Sequence, residues 1–174
     1  MQKVVITGHD LTVDQIIAVC REGAEVVLSD ESREKILASR QVVNELVEER
    51  KVVYGITTGF GKFSDVVISQ DECKLLQKNL IITHAVGAGD PFKEDIARGI
   101  LLLRVNSLSN GFSGICLETV ETMIAMLNKG VTPFIPEKGS LGASGDLAPL
   151  SHMVLPMIGL GMAWYKGELL PGAE

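Results

Sequence analysis

The stretch GSLGASGDLAPLSHM, residues 139–153, sets Ala143-Ser144-Gly145 in a run of small residues, followed by Asp146 and an apolar, helix-like segment. Two readings suit so bare a backbone. One is an ordinary turn before a helix. The other is attack of a backbone nitrogen on a nearby carbonyl. An amide nitrogen is a poor nucleophile because resonance holds its lone pair. It reaches a carbonyl two residues back only where the chain bends sharply and no side chain intervenes. Glycine at the attacking position supplies that freedom and has no Cβ. Alanine at the attacked position adds only a methyl group. Closure of the Gly145 nitrogen onto the Ala143 carbonyl, with loss of water, gives a five-membered imidazolone. Loss of the Ser144 hydroxyl as a second water leaves an exocyclic methylene, a strong electrophile that encoded side chains do not provide.

Upstream of this stretch the chain reads as mainly α with a small N-terminal β element. KVVIT (3–7) and AEVVLS (24–29) are rich in β-branched residues and predict short strands. LTVDQIIAVC (11–20) between them predicts a helix, and Thr12 with Gln15 has capping-box spacing. A longer helix runs from Asp30 to about Arg50, with Ile36, Val43, Leu46 and Val47 on its apolar side. Residues 51–68 are rich in glycine and threonine and read as a loop. Ser69 and Glu72 form a second capping box, opening a helix through about Ile82. Helices also fit 93–108 and 114–128. The first of these carries ILLL and is apolar on most sides, which suits the middle of a bundle. Pro133 and Pro136 are expected to break the chain before the glycine-rich stretch, and a last helix starts near Asp146. The C-terminal GELLPGAE reads as a segment without a cap or a closing element.

Composition narrows the function. The 174 residues are 46% hydrophobic with mean hydropathy +0.26, enough for a core and against disorder. The net charge is −6, and the 16 basic residues are scattered, so neither nucleic acid nor an acidic membrane is an expected partner. No signal peptide and no spanning segment are read; GILLLRV is interrupted by Arg104. Cys20, Cys73 and Cys116 form no CxxC pair, and each falls in an apolar helical pattern, which predicts buried free thiols in a reducing cytoplasm.

The nucleotide motifs fail. Between Gly55 and Gly61 there are five residues where a phosphate-binding loop needs four, and Phe63 follows Lys62 where Ser or Thr is required. In GFGKFS, Ser64 stands where a dinucleotide fingerprint wants glycine. His9, His84 and His152 have no metal-ligand spacing, and Ser144 lacks the elbow pattern of a hydrolase nucleophile. Neither a metal nor a nucleotide is expected.

With three further stretches, VYGITTGFGKFSD, LQKNLIITHAVGAG and LLLRVNSLSNGFSG, the segment GSLGASGDLAPLSHM resembles the aromatic amino acid ammonia-lyases. The resemblance runs through nearly the whole chain in the right order and favours the electrophile over the simple turn. It implies the N-terminal part of the ammonia-lyase, fumarase/aspartase-like helical fold. Residues 1–110 would be a mixed α/β region carrying a tyrosine loop, and 111–174 the cofactor-forming segment with its flanking helices. The implied cofactor is methylidene-imidazolone (MIO), made without added enzymes from Ala143-Ser144-Gly145. Asp146 would help shape or acid-catalyse closure, although capping the next helix is an equally good role for it.

The implied reaction is non-oxidative loss of ammonia from an L-amino acid. Tyr54 matches the family's proposed β-proton base. A phenol is weakly acidic, so a tyrosine in that role needs positive charge or hydrogen-bond donors nearby. Gly55, Gly59 and Gly61 would let its loop close over substrate, with Gly61 at the substrate. Thr83-His84 resembles the selectivity pair of histidine-selective members, which implies L-histidine as substrate and trans-urocanate as product. A polar pair also suits an imidazole better than a phenyl ring. A core histidine satisfied by backbone is the plainer role for His84. Asn79 is given a scaffold role. The resemblance further implies a cytoplasmic homotetramer and a parent chain much longer than 174 residues, this piece alone being incomplete. The alternatives are a lyase or aminomutase for another aromatic amino acid, or a folded fragment without catalysis.

Overall fold

The computed structural model describes residues 2–58 and 70–174, with backbone alone at 70–74. The chain opens with β1 (Lys3–Ile6), α1 (Val13–Glu22) and β2 (Glu25–Leu28). The two strands pair in parallel, Lys3 opposite Glu25 through Ile6 opposite Leu28, and α1 makes the crossover that a parallel pair requires. Alternation puts Val4, Ile6, Val26 and Leu28 inside. The expected capping box is present: the Gln15 N–H donates to Thr12 Oγ1 at 3.3 Å, and the Thr12 N–H donates to Gln15 Oε1 at 2.9 Å. Helix α2 (Asp30–Glu48) starts on a second cap, the Ser32 N–H donating to Ser29 Oγ at 3.1 Å.

Helices α3 (Gln70–His84), α4 (Glu94–Leu108) and α5 (Leu117–Lys129) form the body. Along α4, Ala97, Leu101, Leu102, Val105 and Leu108 are buried. They pack on α1 and α5, and a fully buried aliphatic side chain of this kind contributes about 1.5–3 kcal/mol relative to exposure. The expectation that this helix is enclosed on most sides needs correcting for this chain. Ile96 and Leu103 are 45% and 50% exposed, because the elements packed on α4, namely α1, α5 and the short strand Thr132–Pro133 among the described residues, leave that side uncovered.

Two polar anchors tie the layers together. Asn128 on α5 accepts the Val26 N–H and donates to the Val26 carbonyl, both at 2.8 Å, satisfying an edge of β2 that no strand covers. Arg98 Nη2 donates to the carbonyls of Val19 (2.9 Å) and Leu127 (3.2 Å), near the C-terminal ends of α1 and α5, where helices leave carbonyls unpaired.

The β content is not confined to the N-terminus. Strand β3 (Ala88–Pro91) pairs antiparallel with β5 (Pro136–Lys138), and β4 (Thr132–Pro133), β6 (Met162–Tyr165) and β7 (Glu168–Pro171) form a three-stranded sheet in the order β4-β6-β7. Pro133 and Pro136 therefore lie in strands. Both strands are two or three residues long, so the missing N–H groups interrupt little pairing. The C-terminal segment does close the fold. Lys166 (φ +51°) and Gly167 (φ +82°) make the two-residue left-handed turn that joins β6 to β7. Helix α6 (Leu147–Val154) continues as a 3-10 turn over Leu155–Ile158.

The thiols also differ from expectation. Cys20 and Cys116 are half-buried and free, and Cys116 sits at the start of α5 rather than within a helix. Burial pushes the Cys20 thiol up from its ordinary pKa. The Cys73 side chain and the Ser69–Glu72 cap lie outside the described residues.

Candidate functional site

Ala143-Ser144-Gly145 occupies the turn between β5 and α6. Ala143 and Ser144 are exposed and Gly145 is half-buried. Gly145 has φ +72°, a backbone conformation that side chains disfavour, and a Cβ built there would lie 2.9 Å from Ser140 Oγ. The Ser140 hydroxyl donates to the Gly145 carbonyl and pulls the turn closed from five residues upstream. The Asp146 N–H points to Ser144 Oγ at 3.5 Å. Asp146 is exposed and takes the position before α6, but its side chain makes no capping bond. Its backbone is helical (φ −105°, ψ −11°) rather than extended as in an ordinary cap. The capping role is therefore not the one it plays.

Thr83 and His84 form the last turn of α3. The His84 Nδ1–H donates to the Leu80 carbonyl at 2.7 Å, which fixes the proton on that nitrogen, and the Thr83 hydroxyl donates to the same carbonyl at 3.1 Å. Thr83 is exposed and His84 half-buried. The plainer role for His84 thus holds in one respect, since backbone satisfies one ring nitrogen, and fails in the other, since the residue is not in the core. Asn79, also on α3, is exposed.

The fold packs α3 and the strand after it against the elements that flank the triplet. Helix α3 packs on α6, and β3, which follows Thr83-His84 in the chain, pairs with β5, which leads into the triplet, with Ala88 opposite Lys138. Tyr54 belongs to a separate element. It lies 62% exposed on the turn after α2. That turn is anchored by Thr57, whose hydroxyl donates to the Lys51 carbonyl and accepts the Val53 N–H. Gly55 shares the turn, with φ +74°. Gly59 and Gly61, the other glycines expected on this loop, lie outside the described residues.

Three residues at the site escaped sequence reasoning. Ser140 closes the turn, Gly87 packs between the two segments, and His152 on α6 accepts the Gly87 N–H at 2.9 Å. Burial lowers the His152 pKa from its ordinary value. Among the described residues no three His, Cys, Asp or Glu side chains group as a metal site, and no helix is long and apolar enough to cross a membrane.

Residues 11–174 match a family model described as aromatic amino acid lyase. The chain is 60% identical over all 174 residues to the histidine ammonia-lyase of Caldanaerobacter subterraneus subsp. tengcongensis and 61% identical to that of Alkaliphilus oremlandii. It spans 34% of the length of each, about a third of these curated relatives. Among solved structures, histidine ammonia-lyase from Trypanosoma cruzi superposes with a TM-score of 0.91 at 39% identity, covering 99% of this chain and 34% of that one.

Proposed function

We propose that this chain, which belongs to the aromatic amino acid lyase family, carries the electrophile-forming and substrate-selecting third of an enzyme that eliminates ammonia from L-histidine to give trans-urocanate. The reading is supported by the exposed Ala143-Ser144-Gly145 turn, bent at a glycine of φ +72° between β5 and α6, the elements on which β3 and α3 pack.

The residues fit a methylidene-imidazolone. The attacking nitrogen belongs to a residue that cannot carry a Cβ without striking Ser140 Oγ. The attacked carbonyl belongs to alanine, and the serine hydroxyl that must leave is exposed. Ser140, by donating to the Gly145 carbonyl, holds the bend. Holding it matters, because fixing a backbone residue costs about 1–2 kcal/mol of conformational entropy. When bound in place, the group supplies an electrophilic methylene beside the substrate.

The remaining roles fall to ordinary side chains. Tyr54 takes the β-proton of the substrate, from a turn whose backbone Thr57 pins. His84 and the Thr83 hydroxyl present polar atoms to the imidazole of the substrate. The Nδ1–H of His84 is already committed to Leu80, so Nε2 is the atom left to meet a ring N–H. Gly61 is assigned to substrate binding on the resemblance alone. Asp146 steers the turn during closure.

The same reading makes the parent protein a cytoplasmic homotetramer. That assignment comes from the resemblance; Ile96 and Leu103 on α4, and an open groove of about 650 Å³ lined by Leu80, Ile81, Leu147, Leu150, Val154 and Ile158, are the apolar surface that the rest of the polypeptide or further subunits would cover. Surface of this kind calls for cover by further chain.

Steady-state assay of the full-length protein on L-histidine, L-tyrosine and L-phenylalanine tests the function. Histidine is expected to have the highest kcat/KM. His84→Phe is expected to lower it by up to about 10²-fold, the scale of leaving a buried polar group without its hydrogen-bond partner, about 1–3 kcal/mol. A preference for tyrosine or phenylalanine in the unaltered enzyme would refute the assignment.

A further inference from the structure

We propose that His152 is a positioning residue, holding the substrate-selecting end of α3 at a fixed distance from the Ala143-Ser144-Gly145 turn. This rests on the function proposed above. Gly87 follows His84 by three residues, and its N–H donates to His152 Nε2 across 65 residues of sequence. The contact is enclosed on both sides. A Cβ built on Gly87 would lie 2.9 Å from His152 Nε2, 3.1 Å from its Cδ2 and 3.0 Å from Pro136 Cβ. A Cβ on Gly139 would lie 2.8 Å from the Gly87 Cα and 3.7 Å from Ala148 Cβ. Gly87 is therefore gripped between β5, which enters the triplet, and the side chain of His152 on α6, which leaves it.

Chemistry then singles out the imidazole among these contacts. Strand pairing and close glycine packing set how near the two segments come. The His152 bond adds a directional side-chain contact next to that pairing, and it needs Nε2 unprotonated to accept the Gly87 N–H. Burial of the ring, which disfavours its charged form, keeps it in that state. Losing the acceptor leaves a partly buried N–H without its partner and frees the segment behind Thr83-His84 to rotate.

The test uses the full-length enzyme with three variants. His152→Leu keeps bulk and removes the acceptor. His152→Gln returns an acceptor oxygen near the place of Nε2. Gly87→Ala leaves His152 intact but drives a methyl group against its ring. Ring formation is read as the mass of the peptide spanning residues 139–153, and KM and kcat are read on L-histidine. His152→Leu and Gly87→Ala are expected to raise KM about tenfold or more with the peptide mass unchanged from the parent enzyme, and His152→Gln to recover most of the loss. A merely structural histidine would lower the amount of active enzyme and leave KM alone. Unchanged KM in both His152→Leu and Gly87→Ala, or equal KM in His152→Leu and His152→Gln, would overturn the proposal. If His152→Leu does not fold, Gly87→Ala decides by the same criterion. Failure of the parent enzyme to deaminate histidine would instead refute the function on which this rests.

Discussion

Replacing Ser144 by alanine is expected to lower kcat/KM for L-histidine by about 10³-fold or more in the full-length enzyme, a loss of about 4 kcal/mol of transition-state stabilisation. Alanine keeps the Cβ but has no hydroxyl to expel, so no methylene can form. The fold should be indifferent. Ser144 is exposed, and its contact with the Asp146 N–H is long at 3.5 Å. Folding is therefore expected to survive the change, read as a cooperative thermal transition like that of the parent. Kinetics and calorimetry on one preparation check both halves. A Ser144→Ala enzyme within tenfold of the parent would remove the triplet from the chemistry.

Tyr54→Phe should cost about 10²–10⁴-fold in kcat with little change in KM, the usual range for deleting a general base. The phenyl ring occupies the same space and loses only the atom that takes the proton. Tyr54 is 62% exposed, and the turn that carries it is also held by Thr57. A kcat within a few-fold of the parent enzyme would place the base elsewhere, and a large rise in KM would mark Tyr54 as a binding group.

What could be read from sequence was what local chemistry decides. The Thr12–Gln15 box announced α1 because both partners lie within one helical turn. The apolar ILLL run marked a helix over 93–108, and α4 spans Glu94–Leu108. The triplet stood out because its backbone is bare, and its reading as an electrophile came from the resemblance that three further motifs carry.

Contacts made at long range were not legible. Ala88 meets Lys138, and the Asn128 amide completes β2 at Val26, with nothing in either neighbourhood to signal the other. Pro133 and Pro136 looked like breaks because short strands tolerate a proline that longer ones would not. The closing hairpin was missed because Lys166, rather than Asn or Asp, precedes Gly167 in a left-handed turn. His152 was visible only as a histidine without metal-ligand spacing. Its partner, Gly87, has no side chain to mark the site.

The central claim is that residues 143–145 become an electrophile in the parent protein, and peptide mass mapping reads this most directly. In the full-length enzyme the peptide spanning residues 139–153 is predicted to be lighter than its encoded sequence by two molecules of water, with the loss confined to Ala143-Ser144-Gly145 on fragmentation. In Ser144→Ala the full two-water loss should be absent. An active enzyme whose peptide carries its full encoded mass would contradict the account.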